Sequence, residues 1–430
     1  MKVLFVSLGC DKNTVDSEKV LKRFLTKYNC DIAVNDRDAD IVIINTCSFI
    51  HDAKKESINY IKHYNRLKKE GLIKKLLVLG CLVTENSITH EYDSILNDVD
   101  VSLSLENYLS DLDKLTSRTK DFLSFSSSIK ICDGCDKYCS YCIIPYLKGH
   151  FKSNTPENIL SEAKKLAQNG VKELVVVGQD ILHYGSDFKC NNQKNKNVNK
   201  PIVSLINEIS KIEGIEWIRL LYCYPEEIND EVINLIKDNS KVLPYIDMPI
   251  QHASDKILKL MNRRTTKTSI KSTITKLRDL IPNICIRTTL IVGFPGETSE
   301  DFNELLEFVK EIEFDKLGVF TYSREKLSKS YSFPYQVDDK VKNERKRIIL
   351  EAQKKIAVKK NKEKIGYVYN SIVEGRDTSK VDTYIVRPYF NARDIDDKVF
   401  VKSKELLVSG TFVNVEIKTV AGYDLIGELV

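Results

Sequence analysis

The chain has 430 residues, 42% of them hydrophobic and 30% charged, with a net charge of +5. That length carries two or three domains and a large buried core. No apolar run approaches the roughly 18 residues that a membrane span needs, so no membrane association is expected and the cytoplasm is the expected compartment. Eleven cysteines in a reducing compartment point to metal ligation or redox chemistry and away from disulfides.

The first stretch, MKVLFVSLGC, is too short for a secretory leader and runs straight into charged DKNTVDSEK, so it reads as a strand. A helical pattern follows in TVDSEKVLKRFLTKY. The strand-like DIVIINTC then precedes a helical SFIHDAKKESINYIKHYNRLKKE, where Ser48 is the expected cap. KKLLVLGC is the third apolar run. Continuous apolar strands separated by helices predict a doubly wound parallel α/β domain over residues 1–118. Cys10, Cys47 and Cys81 each stand at the carboxyl end of one strand, the edge where open α/β sheets place their ligands. Three such cysteines are better explained by a shared metal site than by packing.

A second series spans residues 125–357. SIKIC, KELVVVGQD, EWIRLLYCYP, PYIDMPIQH, ICIRTTLIVGFPGE and KLGVFTYS alternate with helical segments, predicting six β/α units and a full or partial barrel. Its active face is expected at the strand ends, where Gln179, Asp180, Tyr224, Gln251, His252, Gly293 and Glu297 stand. The polar stretch 186–200 reads as a surface loop with Cys190 a bystander. Residues 340–364 carry eleven Lys and Arg against three Glu, which makes either a solvated helix face or a contact with nucleic acid or ribosome. The tail, residues 358–430, has short strands spaced by turn residues and predicts a small antiparallel β-barrel. From Gly366 onward eight Lys and Arg face ten Asp and Glu, which suits a basic protein partner better than an RNA.

The stretch CDGCDKYCSYC concentrates four cysteines in residues 132–142. Zinc ribbons separate their C-x-x-C pairs by a dozen or more residues, and here the gap is three. Ferredoxins use C-x2-C-x2-C with a distant fourth cysteine. Neither template fits. Cys135, Cys139 and Cys142 make C-x3-C-x2-C with Tyr141 before the last, a spacing that resembles the signature of radical S-adenosylmethionine (SAM) enzymes. Three thiolates on a 4Fe–4S cubane leave one iron open for SAM to chelate, so Cys132 is the surplus cysteine. By the same resemblance Gly178, Gln179 and Asp180 would meet the SAM amino group, and Gly293 and Glu297 would lie by its adenine. Tyr141 and Gln251 are further candidate cofactor contacts. Arg219 and Arg287 could pair with the SAM carboxylate or form ordinary salt bridges.

Cys10, Cys47 and Cys81 on one domain, C-x3-C-x2-C on the next and a terminal β-barrel together resemble the methylthiotransferase family over essentially the whole chain. The resemblance implies an N-terminal methylthiotransferase domain, a radical SAM core and a TRAM domain. It also implies two 4Fe–4S clusters, the second on the first three cysteines, and two SAM molecules per product. One branch, MiaB-like, modifies a tRNA adenosine. The other, RimO-like, modifies an aspartate β-carbon in small-subunit ribosomal protein twelve, and SLGCDKNTVDSE, GQDILHYG, YCYPEEI and DMPIQHAS resemble it more closely. Cys132 departs from the family, where a small residue is usual, and so does GHFKS, where a more basic stretch is common. An unactivated C–H bond has no acidic proton, so no catalytic acid or base is expected. An electron donor such as flavodoxin or ferredoxin is implied. An iron–sulfur electron carrier or sensor would explain the cysteines but not six β/α units and a barrel.

Overall fold

A computed structural model describes residues 1–103, 124–188 and 200–430. The expected boundary at residue 118 and Cys190 lie outside the described residues. The first unit is a five-stranded parallel sheet of β1 (Lys2–Ser7), β2 (Asp31–Ile32), β3 (Ile41–Thr46), β4 (Lys75–Gly80) and β5 (Val101–Leu103), in the order β2-β1-β3-β4-β5. All six residues of β3, IVIINT, are buried, as helices on both faces require. The Asp11–Tyr28 helix covers one face with Val20 and Phe24, and the His51–Lys69 helix covers the other with Ile61 and Tyr64. Ser48 does not cap that second helix. It begins at His51 with no side-chain cap, and Ser48 is buried three residues earlier. Strand order reverses between β1 and β3, and doubly wound sheets of this order bind their ligand in that crevice. Cys10 and Cys47 leave the sheet there, and Cys81 opens the helix after β4.

The second unit holds β6 (Ser126–Lys130), β9 (Glu173–Val177), β10 (Trp217–Leu220), β11 (Val242–Asp247), β12 (Cys285–Val292) and β13 (Lys316–Thr321). They form an open six-stranded parallel sheet, so the barrel is partial. A short hairpin of β7 (Cys132–Asp133) and β8 (Lys152–Ser153) brackets the cysteine loop. Alternation along the strands divides the core in two. Leu174, Val176, Ile218 and Ile286 point to the helices, whereas Val175, Trp217, Tyr245 and Cys285 point to the concave face.

The C-terminal barrel plugs part of that concave face. Strands β14 (Val368–Arg376), β15 (Thr383–Pro388), β16 (Val399–Lys402), β17 (Phe412–Ala421) and β18 (Asp424–Leu429) close in the order β14-β15-β16-β18-β17. Their pairing is antiparallel except for β16 with β18, which run parallel. Ile372, Val386 and Phe390 of the barrel share one apolar cluster with Val175, Trp217 and Tyr245. Among the described residues no helix is long and apolar enough to cross a membrane.

Candidate active site

The first three cysteines are held by a polar clasp at the sheet edge. Asn13 Nδ2 donates to Leu8 O (2.9 Å) and Thr46 O (3.4 Å), tying the ends of β1 and β3 together, and Asn45 Nδ2 donates to Asn13 O (3.1 Å). Gly9 (φ +98°) precedes Cys10, and a Cβ there would lie 3.1 Å from Cys47 Sγ. Ser57 Oγ donates to Cys47 O (2.7 Å) and accepts from Cys47 N (3.1 Å). Cys47 and Cys81 are buried while Cys10 is exposed. Burial pushes the Cys47 thiol up to about 12, and burial also raises Cys81, against the nearby Lys148. Thiols in that state ionise when a metal supplies the charge.

The Cys135–Cys142 loop is pinned from several sides. A Cβ at Gly134 (φ +67°) would lie 2.0 Å from His150 O. Ser140 Oγ donates to Leu260 O (2.7 Å), and Asn262 Nδ2 donates to the carbonyls of Lys137 and Tyr138. Burial raises Cys142, and it pushes Cys135 up to about 11. Among the described residues, Asp180, His183 and Glu227 form the group of three metal-type ligand atoms within 4.8 Å of one another. A tetrahedral zinc gathers four ligands on one ion, whereas a cubane spreads each thiolate onto its own iron, so two sets of three thiols fit clusters with one iron left open. Cys132 turns away into the apolar core beside Ile129, Ile131 and Phe151. Its Sγ would be 2.4 Å from a Cβ at Gly178, so that glycine makes room for Cys132.

The two cysteine sets face each other across the domain junction. Cys81 packs on Ile143 and Leu147, just beyond Cys142. Around them Asp16 accepts from Lys130 and is paired with Lys148 (3.5 Å), and Asp133 takes Lys130 (2.6 Å) and Gln179 Nε2 (3.1 Å). Lys54 joins Glu85 (2.6 Å) to Glu325 across the same junction.

Beside the loop, Asp180 is buried and neither carboxylate oxygen accepts a hydrogen bond. Lys137 Nζ stands 3.4 Å from Oδ2, and burial pushes the carboxyl up to about 6. Arg263, which the sequence reading missed, stacks on Tyr224 with its guanidinium carbon 4.2 Å from the ring centroid. Its Nη2 donates to Pro249 O (3.1 Å), while Nε and Nη1 have no hydrogen-bond partner. Arg263 Nη2 also lies 3.7 Å from Glu226 Oε2, yet its Nε and Nη1 and both Asp180 oxygens are free of hydrogen bonds by the cysteine loop, and such a pair fits the two ends of an amino acid, and so fits SAM. Tyr141 packs with Ile257, Met261 and Phe294 near them.

Other expected contacts have different partners. Arg219 is fully buried, donating from Nε to Glu173 (2.9 Å) and from Nη1 to Tyr389 O (2.8 Å). It lies in the layer that the C-terminal barrel covers, not at the mouth. Arg287 pairs with Asp247 (2.9 Å) and faces Asp396 (3.7 Å). A Cβ at Gly293 (φ +72°) would meet Lys342 Cγ at 2.2 Å, so the glycine admits a lysine of the Asp339–Lys362 helix. Glu297 accepts from Gly293 N (2.6 Å), Phe294 N (3.0 Å) and Arg345 Nη1 (2.9 Å), making it the clamp of that turn. Gln251 (φ +69°) acts through its backbone, donating to Thr289 O (2.9 Å) and accepting from Ile291 N (2.8 Å).

The clamp has a pH signature. His252 Nε2 is 3.8 Å from Glu297 Oε2, and its Nδ1 accepts from Ser254 N (2.9 Å). Burial raises Glu297 to about 7 from an ordinary 4.5, so its contribution to stability is full below 4.5 and lost as pH rises through about 7. Burial lowers His252 to about 3 from 6.5, so its contribution is full above 6.5 and lost as pH falls through about 3. The two slopes oppose each other between pH 4.5 and 6.5. Glu297→Gln leaves the histidine alone. Urea unfolding of this variant is expected to lose about 1.4 kcal/mol per pH unit relative to wild type as pH falls through that window. Parallel curves for the two proteins would refute the raised Glu297 carboxyl.

Comparison with known proteins supplies the class. Family models match in chain order: Uncharacterized protein family UPF0004 over residues 2–102, the Radical SAM superfamily over 129–309 and the TRAM domain over 365–430. The ribosomal protein uS12 methylthiotransferase RimO of Lachnoclostridium phytofermentans is 41% identical over 449 residues, covering 99% of each chain. That of Clostridium botulinum is 43% identical over 450 residues, covering 99% of this chain and 97% of its own. Among solved structures, the radical SAM methyltransferase TsrM from Kitasatospora setae matches the fold with a TM-score of 0.51 at 11% identity, covering 86% of this chain and 80% of that one. The chain belongs to the radical SAM methylthiotransferase family in which these RimO proteins stand. It is therefore a transferase that uses SAM and an iron–sulfur cluster.

Proposed function

We propose that this enzyme inserts a methylthio group at the β-carbon of an aspartate in small-subunit ribosomal protein twelve, in the cytoplasm, using two SAM molecules and two 4Fe–4S clusters. Cys135, Cys139 and Cys142 hold the first cluster, and Cys10, Cys47 and Cys81 hold the second. When bound, these groups supply the electron that cleaves SAM to a 5′-deoxyadenosyl radical and the sulfur that is transferred. Asp180 receives the SAM amino group and Arg263 its carboxylate. Ile143 and Leu147 exclude water between the two centres. The reductant is a low-potential donor of the flavodoxin or ferredoxin kind. The methylthiotransferase, radical SAM and TRAM domains span residues 1–118, 125–357 and 358–430.

The observation that carries this reading is the packing of Cys81 directly on the helix that leaves the Cys135–Cys142 loop. Two cysteine triads across one apolar contact suit a sulfur donor beside a radical source. The acidic balance of the C-terminal barrel favours a basic protein over tRNA. The exposed lysines Lys340, Lys355 and Lys362 of the Asp339–Lys362 helix are where rRNA would be touched. The test incubates reconstituted enzyme with SAM, a reductant and either the ribosomal protein or unmodified tRNA. A methylthio adduct on the protein is expected, and an adduct on tRNA with unmodified protein would overturn the reading.

A further inference from the structure

Lys12 lies between the two cysteine triads and has no assigned task. It is half-buried, in the first turn of the Asp11–Tyr28 helix. Its ammonium is within electrostatic reach of Cys10 on its own domain and of Cys132 and Cys142 across the cleft. Its contacts are Gly178 O at 3.5 Å and the Tyr222 ring, whose centroid is 3.5 Å away. The other lysines at this junction are paired: Lys130 with Asp16 and Asp133, Lys148 with Asp16, and Lys137 with Glu227. Asp247, beneath Tyr222, is taken by Arg287 and by Tyr222 N (3.1 Å). Among the described residues Lys12 forms no ion pair. Tyr222 holds φ at +65°, a conformation an aromatic residue rarely adopts, and this residue forms the wall beneath the ammonium.

A cation whose nearest carboxylate, the adjacent Asp11, stays beyond ion-pair distance, set where two reaction centres meet, asks for an anion from outside. We infer that Lys12 receives the side-chain carboxylate of the substrate aspartate, with Tyr222 as the wall under it. This rests on the aspartate reading above. The hydrogen to be removed sits on the carbon bonded to the carboxylate carbon, so anchoring the carboxylate fixes that C–H within one bond of a held atom. An adenine carries no such anion, so the same lysine selects an acidic side chain over a nucleobase. Lys12 is thus a substrate-positioning residue.

The test uses full-length reconstituted protein and two fluorescein-labelled basic peptides, one with the target sequence of the ribosomal protein and one with its aspartate changed to alanine. By fluorescence anisotropy, wild type is expected to bind the aspartate peptide roughly tenfold or more tightly than the alanine peptide. Lys12→Met should bind the two equally, and Lys12→Arg should recover part of the difference. For methylthiolation of the aspartate peptide, Lys12→Met should raise KM more than it lowers kcat. Discrimination retained in Lys12→Met, or equal weakening of both peptides, overturns the inference. Iron loss in both lysine variants overturns it too, by assigning the lysine to the cluster. Failure of the aspartate reading shows separately, as wild-type enzyme that modifies tRNA and leaves the ribosomal protein untouched.

Discussion

Replacing Cys135, Cys139 and Cys142 together by alanine is expected to abolish 5′-deoxyadenosine formation and to lower bound iron from about eight per chain to about four. The loop is fixed by contacts that do not involve the thiols, namely Ser140 to Leu260, Asn262 to Lys137 and Tyr138, and Gly134 against His150. The backbone should therefore survive the loss of three side chains, and the missing iron can be charged to lost ligation. The same change at Cys10, Cys47 and Cys81 should also halve the iron, yet leave some SAM cleavage uncoupled from methylthiolation. The asymmetry follows from position, because it is the Cys135, Cys139 and Cys142 triad that lies beside Asp180 and Arg263. Cys132→Ala should keep full iron, since its sulfur faces Gly178 and donates to Asp180 O at 3.7 Å. Iron counted by ferrozine assay and 5′-deoxyadenosine by chromatography decide the matter. Cluster loss in Cys132→Ala would mean that a different three of the four cysteines act.

Why was the shared edge of Cys10, Cys47 and Cys81 legible when the partners of the arginines stayed open between two readings? Cys10, Cys47 and Cys81 end runs whose apolar composition sets strand and direction, so the edge they share follows from chain order. Arg219 and Arg287 also stand on readable strands, which left the SAM carboxylate and ordinary salt bridges equally open as partners. What alternation does not give is the layer, or what fills it. The filler is a barrel some 170 residues further along the chain, and its Tyr389 carbonyl takes Arg219. Gly293 is a similar case. A glycine-rich turn announces close approach but not what approaches, and here it is Lys342. Arg263 and Lys12 were missed because each looks like an ordinary charge on an amphipathic helix or turn. Only the tertiary fold shows that Arg263 keeps Nε and Nη1 unbonded beside Glu226 and that Lys12 has no carboxylate at ion-pair distance. Residues whose role depends on local pattern were readable, and those whose role depends on a distant neighbour were not.

Glu173→Ala is expected to destabilise the protein by about 3–5 kcal/mol, the cost of breaking a buried ion pair from one side. Glu173 opens β9 and is fully buried. Its carboxylate takes Arg219 Nε (2.9 Å), Ser126 Oγ (2.8 Å) and Arg387 Nη1 (3.0 Å), the last reaching in from β15 of the C-terminal barrel. Arg387 and Arg393 also have Glu374, so they keep a counter-charge when Glu173 is gone. Arg219 has no second carboxylate and would be left as a fully buried, uncompensated cation. A second route gives a similar magnitude. Although burial alone would raise it, Arg387 and Arg219 hold the Glu173 carboxyl down to about 2, below its ordinary 4.5. The stability this contributes is full above pH 4.5 and lost as pH falls through about 2, which integrates to roughly 3 kcal/mol. Glu173→Gln keeps the shape and one acceptor, so its loss should be smaller. The damage should appear first at the joint, because Glu173 ties the sheet to the barrel. Limited proteolysis of Glu173→Ala is expected to release a fragment beginning near residue 358 before the six-stranded core is cut, alongside an earlier urea midpoint. Stability within about 1 kcal/mol of wild type would show that water or a shifted Glu374 reaches Arg219, and that the joint is held by Trp217, Tyr245 and Phe390 alone.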